Sequence, residues 1–233
     1  MKYALVDDKK TAPMPGLHGI CNCCGSEMVA KCGRVKAWHW AHKSRTNCDP
    51  WWETEGEWHR EWKDQFPEEW QEVVHVDEIT GERHIADIKT PSGLVIEFQH
   101  SPIKPREMQS REQFYQNMIW VVDTDRDSVA AYFNMGLSAE PIGLNPVYFQ
   151  LEWWGRSRFL HNWGEATVPV FFHFGEDVVW RLGEFWPEDS VALVYPIPRE
   201  WLVEDCMSGN PKRTMIVDEK EAYKLCRRMV RVY

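Results

Sequence analysis

The stretch "HIADIKTPSGLVIEFQHS", His84 to Ser101, decides the fold. Two β-like runs meet at a Pro-Ser-Gly turn, and this pattern predicts a hairpin. Polar groups occupy positions where a plain strand would carry apolar residues. Asp87 interrupts "IADI", and Glu97 and Gln99 flank Phe98 in "VIEFQ". Because their neighbours are apolar, these acids need an explanation other than solubility.

The alternation of the second run places Glu97 and Gln99 on the same face of a strand. If the three-residue loop closes the hairpin, Asp87 lies directly opposite Glu97, with Cβ atoms about 4.5–5.5 Å apart. Two carboxylates this close repel each other unless one is protonated or a cation lies between them. Mg²⁺ or Mn²⁺ is the natural occupant, and it could activate water against a phosphate. An edge hairpin with solvated acids is the alternative.

The segments on either side of the hairpin are predicted helices with polar faces. On the upstream helix, "WWETEGEWHREWKDQF", an apolar stripe recurs at i, i+4, i+8: Trp58, Trp62, Phe66. Glu55, His59 and Lys63 share another face, which offers a third carboxylate to a metal or forms ordinary helical ion pairs. On the downstream helix, Arg111 and Tyr115 are spaced at i, i+4. They could contact a phosphate or form an ordinary exposed pair.

The N-terminal region contains a Cys/His cluster, "CNCCGSEMVAKCGRVKAWHWAH". Cys21-x2-Cys24 and His39-x2-His42 could together complete a tetrahedral Zn²⁺ site, with the histidines on a helical turn. Four protein ligands would leave no open position, so the zinc would be structural and supply folding energy. Cys32 and Cys48 are spare thiols, and buried free cysteines are the alternative.

Charge is unevenly distributed along the chain. The formal net charge of −9 argues against nonspecific nucleic-acid binding by the whole surface. Between residues 18 and 48, however, five basic residues stand against one acid, so phosphate contacts are expected to begin there. The chain contains no apolar run near the roughly 18 residues of a membrane span and no secretory leader. We expect a cytoplasmic protein without a membrane partner.

These patterns predict an α/β protein in three parts. Residues 1–50 form a small zinc-binding module, residues 51–138 hold the core with the carboxylates, and residues 139–233 form an α/β extension that completes or extends the sheet. The extension is predicted to end in a helix over residues 219–230, "EKEAYKLCRRMV". It contains no motif from which a function can be inferred.

Taken in order from Cys21 to Asp123, the motifs resemble those of the competence protein CoiA-like nucleases, a branch of the PD-(D/E)XK restriction-endonuclease-like superfamily. The resemblance rests on "C-x2-C … HWAH", "ETEGEWHREWK", "HIAD", "VIEFQHS" and an "R-x3-Y" before "IWVVD". It implies a restriction-endonuclease-like core, with a central mixed β-sheet flanked by helices, behind a zinc module. It also implies a nuclease that acts on DNA rather than RNA, with recombination, phage or bacterial proteins as possible partners.

The resemblance also implies roles for individual residues. The implied catalytic residues are Asp87, Glu97, Gln99 and a helix acid, which is Glu55 or its close rival Glu57. Asp87 and Glu97 would bind Mg²⁺ or Mn²⁺. Gln99 stands where many relatives have the catalytic lysine, so it can orient water but cannot supply positive charge. The implied substrate contacts are His59, Lys63, Arg111 and Tyr115. A nuclease fold that holds DNA without cutting it, and a zinc module that binds protein partners, are the competing interpretations.

Overall fold

The computed structural model describes residues 1–44, 48–51, 55–125, 127–142, 147–154 and 158–209. The chain divides into two compact units, Met1–Lys89 and Thr90–Tyr233. The module boundaries at residues 50 and 138 stay predictions. The helix predicted over residues 219–230 lies outside the described residues.

The first unit begins with a small antiparallel sheet. Its strands are β1 (Ala4–Val6), β2 (Lys9–Thr11), β3 (His18–Ile20), β4 (Glu27–Lys31) and β5 (His39–His42). They lie in the order β2-β1-β3-β4-β5. One side of the sheet is closed by a small core that includes Met28 and Trp40, both almost fully buried. Because so short a sheet buries little apolar surface, a metal site would add stability to it.

The same unit continues through a helix into a hairpin. Helix α1 (Glu57–Lys63) confirms an amphipathic helix in the predicted segment, with Trp62 buried, but it is shorter than predicted. Glu55, predicted as a helix acid, precedes the helix. A 3₁₀ turn, Glu68–Trp70, leads into strand β6 (Gln71–Val76). Strand β6 pairs antiparallel with β7 (Arg83–Lys89), which carries Asp87. The hairpin therefore places Asp87 beside residues of β6.

The second unit is a mixed sheet with helices between its strands. Its strands are β8 (Val95–Gln99), β9 (Met118–Asp123), β10 (Phe149–Glu152), β11 (Val170–His173), β12 (Val178–Trp186) and β13 (Val191–Pro198), and its helices are α2 (Pro105–Tyr115), α3 (Asp127–Gly136), α4 (Phe159–Gly164) and α5 (Arg199–Ser208). The strand order is β10-β13-β12-β11-β9-β8. The pairs β8–β9 and β9–β11 are parallel, and the remaining pairs are antiparallel.

Strands β8 and β9 are buried along their whole length, as expected for parallel strands covered on both faces. A parallel pair needs a crossover connection, and α2 provides it between these two strands. The α/β class and the mixed sheet flanked by helices are confirmed. Among the helices of the described residues, none has the length and apolar character needed to cross a membrane.

Candidate metal centre and carboxylate site

Four side chains of the first unit form a candidate zinc site: Cys21, Cys24, His42 and Cys48. Their ligand atoms all lie within 4.8 Å of one another. The Sγ atoms of Cys21 and Cys48 are 3.6 Å apart, and Cys24 Sγ is 3.4 Å from His42 Nε2. Tetrahedral Zn²⁺ with ordinary bond lengths holds two thiolates about 3.8 Å apart and a thiolate and imidazole about 3.6 Å apart. The four residues therefore fit zinc.

The local backbone explains why Cys21 and Cys24 converge. The chain turns sharply between β3 and β4, where the Gly25 N–H donates to the Cys21 carbonyl and the Cys21 N–H donates to the Ser26 carbonyl. Gly25 has a φ of +72°, a conformation that glycine adopts at little cost. His42 is the last residue of the neighbouring strand β5, so pairing with β4 brings it to this turn.

His39 is not a member of this group, which corrects the predicted ligand set. The two histidines lie on a β-strand and not on a helical turn. Residues i and i+3 of a strand point to opposite faces. The Nδ1 atom of His39 lies 2.9 Å from the Ala37 carbonyl oxygen. Cys48, which the sequence offered only as a spare thiol, is the fourth member of the cluster.

The thiols of this cluster differ in acidity before any metal binds. Burial opposes ionisation of Cys24, but hydrogen bonds from Ser26, Cys48 and His42 lower its pKa to about 6. Burial raises the pKa values of Cys21 and Cys48. Since zinc binds thiolates, metal binding would release protons from the latter two residues.

A second cluster in the same unit surrounds the ammonium group of Lys63. Three carboxylates contact its Nζ atom: Glu55 Oε1 at 2.5 Å, Asp87 Oδ1 at 3.1 Å and Glu72 Oε1 at 3.2 Å. We refer to these four residues as the Lys63 cluster. Lys63 is 2 % exposed, and the side chains of Glu55 and Glu72 are 6 % and 4 % exposed. A single buried cation is thus shared by three acids.

The electrostatics of the Lys63 cluster follow from this sharing. Burial alone would lower the pKa of Lys63, but Asp87, Glu72 and Glu55 raise it well above its ordinary value. Burial alone would raise the pKa of Glu55, but the Lys63 ammonium outweighs it and lowers the pKa to about 2. Glu55 therefore remains ionised beside the ammonium group at neutral pH.

Two further side chains of α1 border the cluster. His59 is buried, and its Nε2 atom lies 2.9 Å from Asp87 Oδ2. Arg60 Nη2 lies 3.6 Å from Glu55 Oε2. Within the described residues, this Glu55 oxygen is buried and accepts no hydrogen bond. Glu57, the rival helix acid, is exposed in the first turn of α1.

Glu72 was missed by sequence reasoning. The register of the hairpin, Gln71 with Ile88 and Val73 with Ala86, places Glu72 level with Asp87. Its φ of +47° is unusual for a non-glycine residue, and such strain commonly accompanies a functional site. Its carboxylate also accepts the backbone N–H groups of Lys2 and Tyr3. Counting back from the loop of residues 77–82, which connects the two strands, would have revealed the pairing.

In the second unit, the residues predicted on β8 are held by α2 and by the backbone. Glu97 Oε2 accepts a hydrogen bond from Arg111 Nη1 at 3.1 Å, and both side chains are buried. The amide of Gln99, 1 % exposed, donates to the Ser101 carbonyl at 2.8 Å. Tyr115 is also buried, with its ring centroid 5.1 Å from that of Phe114.

These placements refine the predicted substrate contacts. Lys63 and His59 lie against Asp87, and Arg111 lies against Glu97, so in this structure each of them contacts a predicted metal-binding carboxylate. The predicted pairing of Asp87 with Glu97 joins residues of different units and stays a prediction.

The fold and the first cluster define the class: an α/β protein with an N-terminal Cys/His site that could hold zinc. Residues 18–50 match the family model of the competence protein CoiA, N-terminal domain. The match includes all four members of the zinc cluster and confirms the CoiA-like character predicted for this segment. No curated protein and no solved structure matches the chain.

Proposed function

We propose that this protein is a Mg²⁺- or Mn²⁺-dependent nuclease that hydrolyses phosphodiester bonds in DNA and works in the cytoplasm. The observation that carries the proposal is the gathering of Glu55 and Asp87, a buried and a half-buried carboxylate far apart in sequence, around Lys63. Burying a carboxylate costs free energy unless it is paired, and groups of perturbed acids of this kind concentrate at functional sites. A restriction-endonuclease-like core, as the resemblance implies, completes the proposal.

The residues of the first unit that would hold the divalent ion are Glu55 and Asp87. Carboxylate oxygens are the ligands that Mg²⁺ prefers. Within the described residues, Glu55 Oε2 accepts no hydrogen bond, so its lone pairs are available to a metal ion. When bound, the ion would acidify a water molecule and neutralise charge on the scissile phosphate. Glu72 anchors Lys63 from the opposite strand and thereby keeps Asp87 oriented.

Lys63 could supply the positive charge that Gln99, which stands in place of a catalytic lysine, cannot supply. An amide can orient water, but it supplies no positive charge to the transition state. The Lys63 ammonium lies 3.1 Å from Asp87 Oδ1 and is held by three acids, so it provides a fixed cation at the proposed metal ligand. We assign it the electrostatic role that a lysine on the "IEFQ" strand would otherwise have.

The test is a cleavage assay with the purified zinc-loaded protein, Mg²⁺ or Mn²⁺, and single-stranded DNA, duplex DNA and RNA. Cleavage of DNA is expected, with a loss of about 10²-fold or more in Asp87→Asn and in Glu55→Gln, in line with removal of a key electrostatic group. Glu57→Gln is the matched control, an exposed acid two residues from Glu55, and should cleave at the wild-type rate. Undiminished cleavage by Asp87→Asn would overturn the assignment.

A second candidate function is DNA binding without cleavage, for example as a recombination accessory protein. The observation that favours it is the pairing of the acids: Lys63 contacts Asp87, and Arg111 contacts Glu97. Such pairs can be purely structural. This function predicts DNA affinity that is independent of Mg²⁺ and the absence of cleavage with any divalent ion.

A further inference from the structure

The loop between β4 and β5, residues 32–38, combines positive charge with exposed apolar groups. Its residues 33–38 are all exposed, Val35 is 96 % exposed and the Trp38 indole is 46 % exposed. Arg34 and Lys36 lie in the loop, Lys31 precedes it, and no acid interrupts them, although the chain as a whole has a net charge of −9. We infer that this loop binds single-stranded nucleic acid, with a base stacked on Trp38 and phosphates paired with the three cations.

The indole of Trp38 does not contribute to the core of the small sheet. That role belongs to Trp40, which is 1 % exposed and donates its Nε1–H to the Thr11 carbonyl. The exposed part of the Trp38 indole lies in the same loop as the exposed Val35, Arg34 and Lys36. An aromatic ring beside cations is the combination by which proteins hold single strands, because every base offers a face for stacking.

A single strand is favoured over a duplex and over a membrane. In a duplex the bases are already stacked on one another, so no base face would be free to stack on the exposed indole. One tryptophan and one valine form too small an apolar surface for stable insertion into a lipid interface, which needs a broad amphipathic face. The cations would pair with phosphates of single-stranded and duplex nucleic acid alike. The predicted preference for a single strand therefore rests on Trp38.

The structure connects this loop to the Lys63 cluster. Arg60 Nη2 donates to the Trp38 carbonyl at 2.8 Å and lies 3.6 Å from Glu55 Oε2. The same guanidinium therefore fixes the end of the loop beside the acid proposed to bind the divalent ion. A strand stacked on Trp38 would enter next to Glu55. This consequence rests on the proposed function, whereas binding by the loop does not.

The experiment measures the fluorescence anisotropy of a labelled oligothymidylate with the full-length zinc-loaded protein. It is carried out without added Mg²⁺ over about 50–200 mM salt, the range in which phosphate pairing dominates. Trp38→Ala is expected to weaken binding about tenfold or more, and Trp38→Phe to keep most of the affinity. Replacing Arg34 and Lys36 by alanine should reduce the salt slope by about 0.7 for each phosphate that is no longer neutralised.

Each control variant removes the same type of side chain from a position outside the loop. Trp154→Ala removes another exposed tryptophan, and Lys9→Ala with Arg83→Ala removes two exposed cations outside the loop. Zinc content and thermal melting verify that each variant is folded. Wild-type affinity in Trp38→Ala, tighter binding of duplex than of single strand, or a Trp38-dependent affinity for anionic vesicles alone would overturn the inference. Because no Mg²⁺ is added, failure to cleave DNA leaves this result unaffected.

Discussion

Glu72 and Asp87 lie level with each other on neighbouring antiparallel strands, and both carboxylates contact the same ammonium group, Lys63 Nζ. Like charges directly opposite in a sheet are destabilising. Here the cation from helix α1 lies within 3.2 Å of both acids and offsets that repulsion. The sequence predicted that Asp87 would face Glu97 with a divalent ion between them, and that pairing stays a prediction. In the first unit the acid beside Asp87 is Glu72, which was not predicted, and the cation that both contact is Lys63.

Replacing Lys63 with methionine should destabilise the protein by about 3–5 kcal/mol, because two buried carboxylates and the half-buried Asp87 would lose their cation. Urea denaturation followed by circular dichroism measures the change in the free energy of unfolding. Lys9→Met, which removes an exposed lysine, is the control and should change it by about 0.5 kcal/mol or less.

A double mutant can show whether Lys63→Met destabilises the protein by removing the positive charge or by disturbing the packing. Adding Asp87→Asn to Lys63→Met removes one of the uncompensated charges, so the double variant should be more stable than the sum of the two single effects implies. Strict additivity, or a Lys63→Met variant as stable as the wild type, would show that the ammonium is not what balances these acids.

Cys48→Ser should abolish stoichiometric zinc binding, whereas His39→Ala should retain it. The reason is that Cys48 belongs to the four-residue cluster, while His39 Nδ1 is next to a backbone carbonyl. Metal analysis of the purified proteins, together with a colorimetric zinc-release titration, provides the measurement. The reverse outcome, with zinc lost from His39→Ala and kept in Cys48→Ser, would restore the ligand set predicted from the sequence.

Acid should destabilise the second unit through His173. Burial lowers the pKa of His173 to about 4, and its Nε2–H donates to the Glu176 carbonyl. The unfolded chain takes up this proton near pH 6.5, so the stabilisation is complete above that value and is lost as the pH falls towards 4. Between pH 7 and pH 5, the wild type should lose about 2 kcal/mol more stability than His173→Gln.

Urea denaturation at the two pH values tests this expectation. His18→Gln, which replaces an exposed histidine, should keep the wild-type loss. Equal losses in the wild type and in His173→Gln would mean that this imidazole is not the group that responds to acid.

If the proposed nuclease activity is present, Gln99→Lys should not increase the cleavage rate appreciably, because Lys63 already supplies a fixed cation beside Asp87. Gln99→Ala should reduce the rate about tenfold, since the buried amide that donates to the Ser101 carbonyl would be removed. Single-turnover cleavage assays with Mg²⁺ measure both effects. A gain of about 10²-fold in Gln99→Lys would instead show that the wild-type site lacks positive charge.

Much of the local structure could be predicted from the sequence, because it depends on spacing between near neighbours. Cys21 and Cys24 are close enough to be joined by one turn, and Gly25 permits that turn. The period of Trp58 and Trp62 predicted helix α1, and the apolar neighbours of Asp87 and Glu97 predicted the strands β7 and β8. Each of these signals lies within a few residues of the element that it specifies.

The members that completed each cluster were decided only by the tertiary structure. Cys48 replaces His39 because strand pairing, and not a helical turn, presents His42 to the two cysteines. Glu72 joins Asp87 because of the register of a hairpin, which brings together residues fifteen positions apart in the chain. Lys63 looked like a surface contact for phosphate, but it is buried because three acids from separate segments surround it. Local periodicity carries no information about such contacts, since they depend on how distant segments pack.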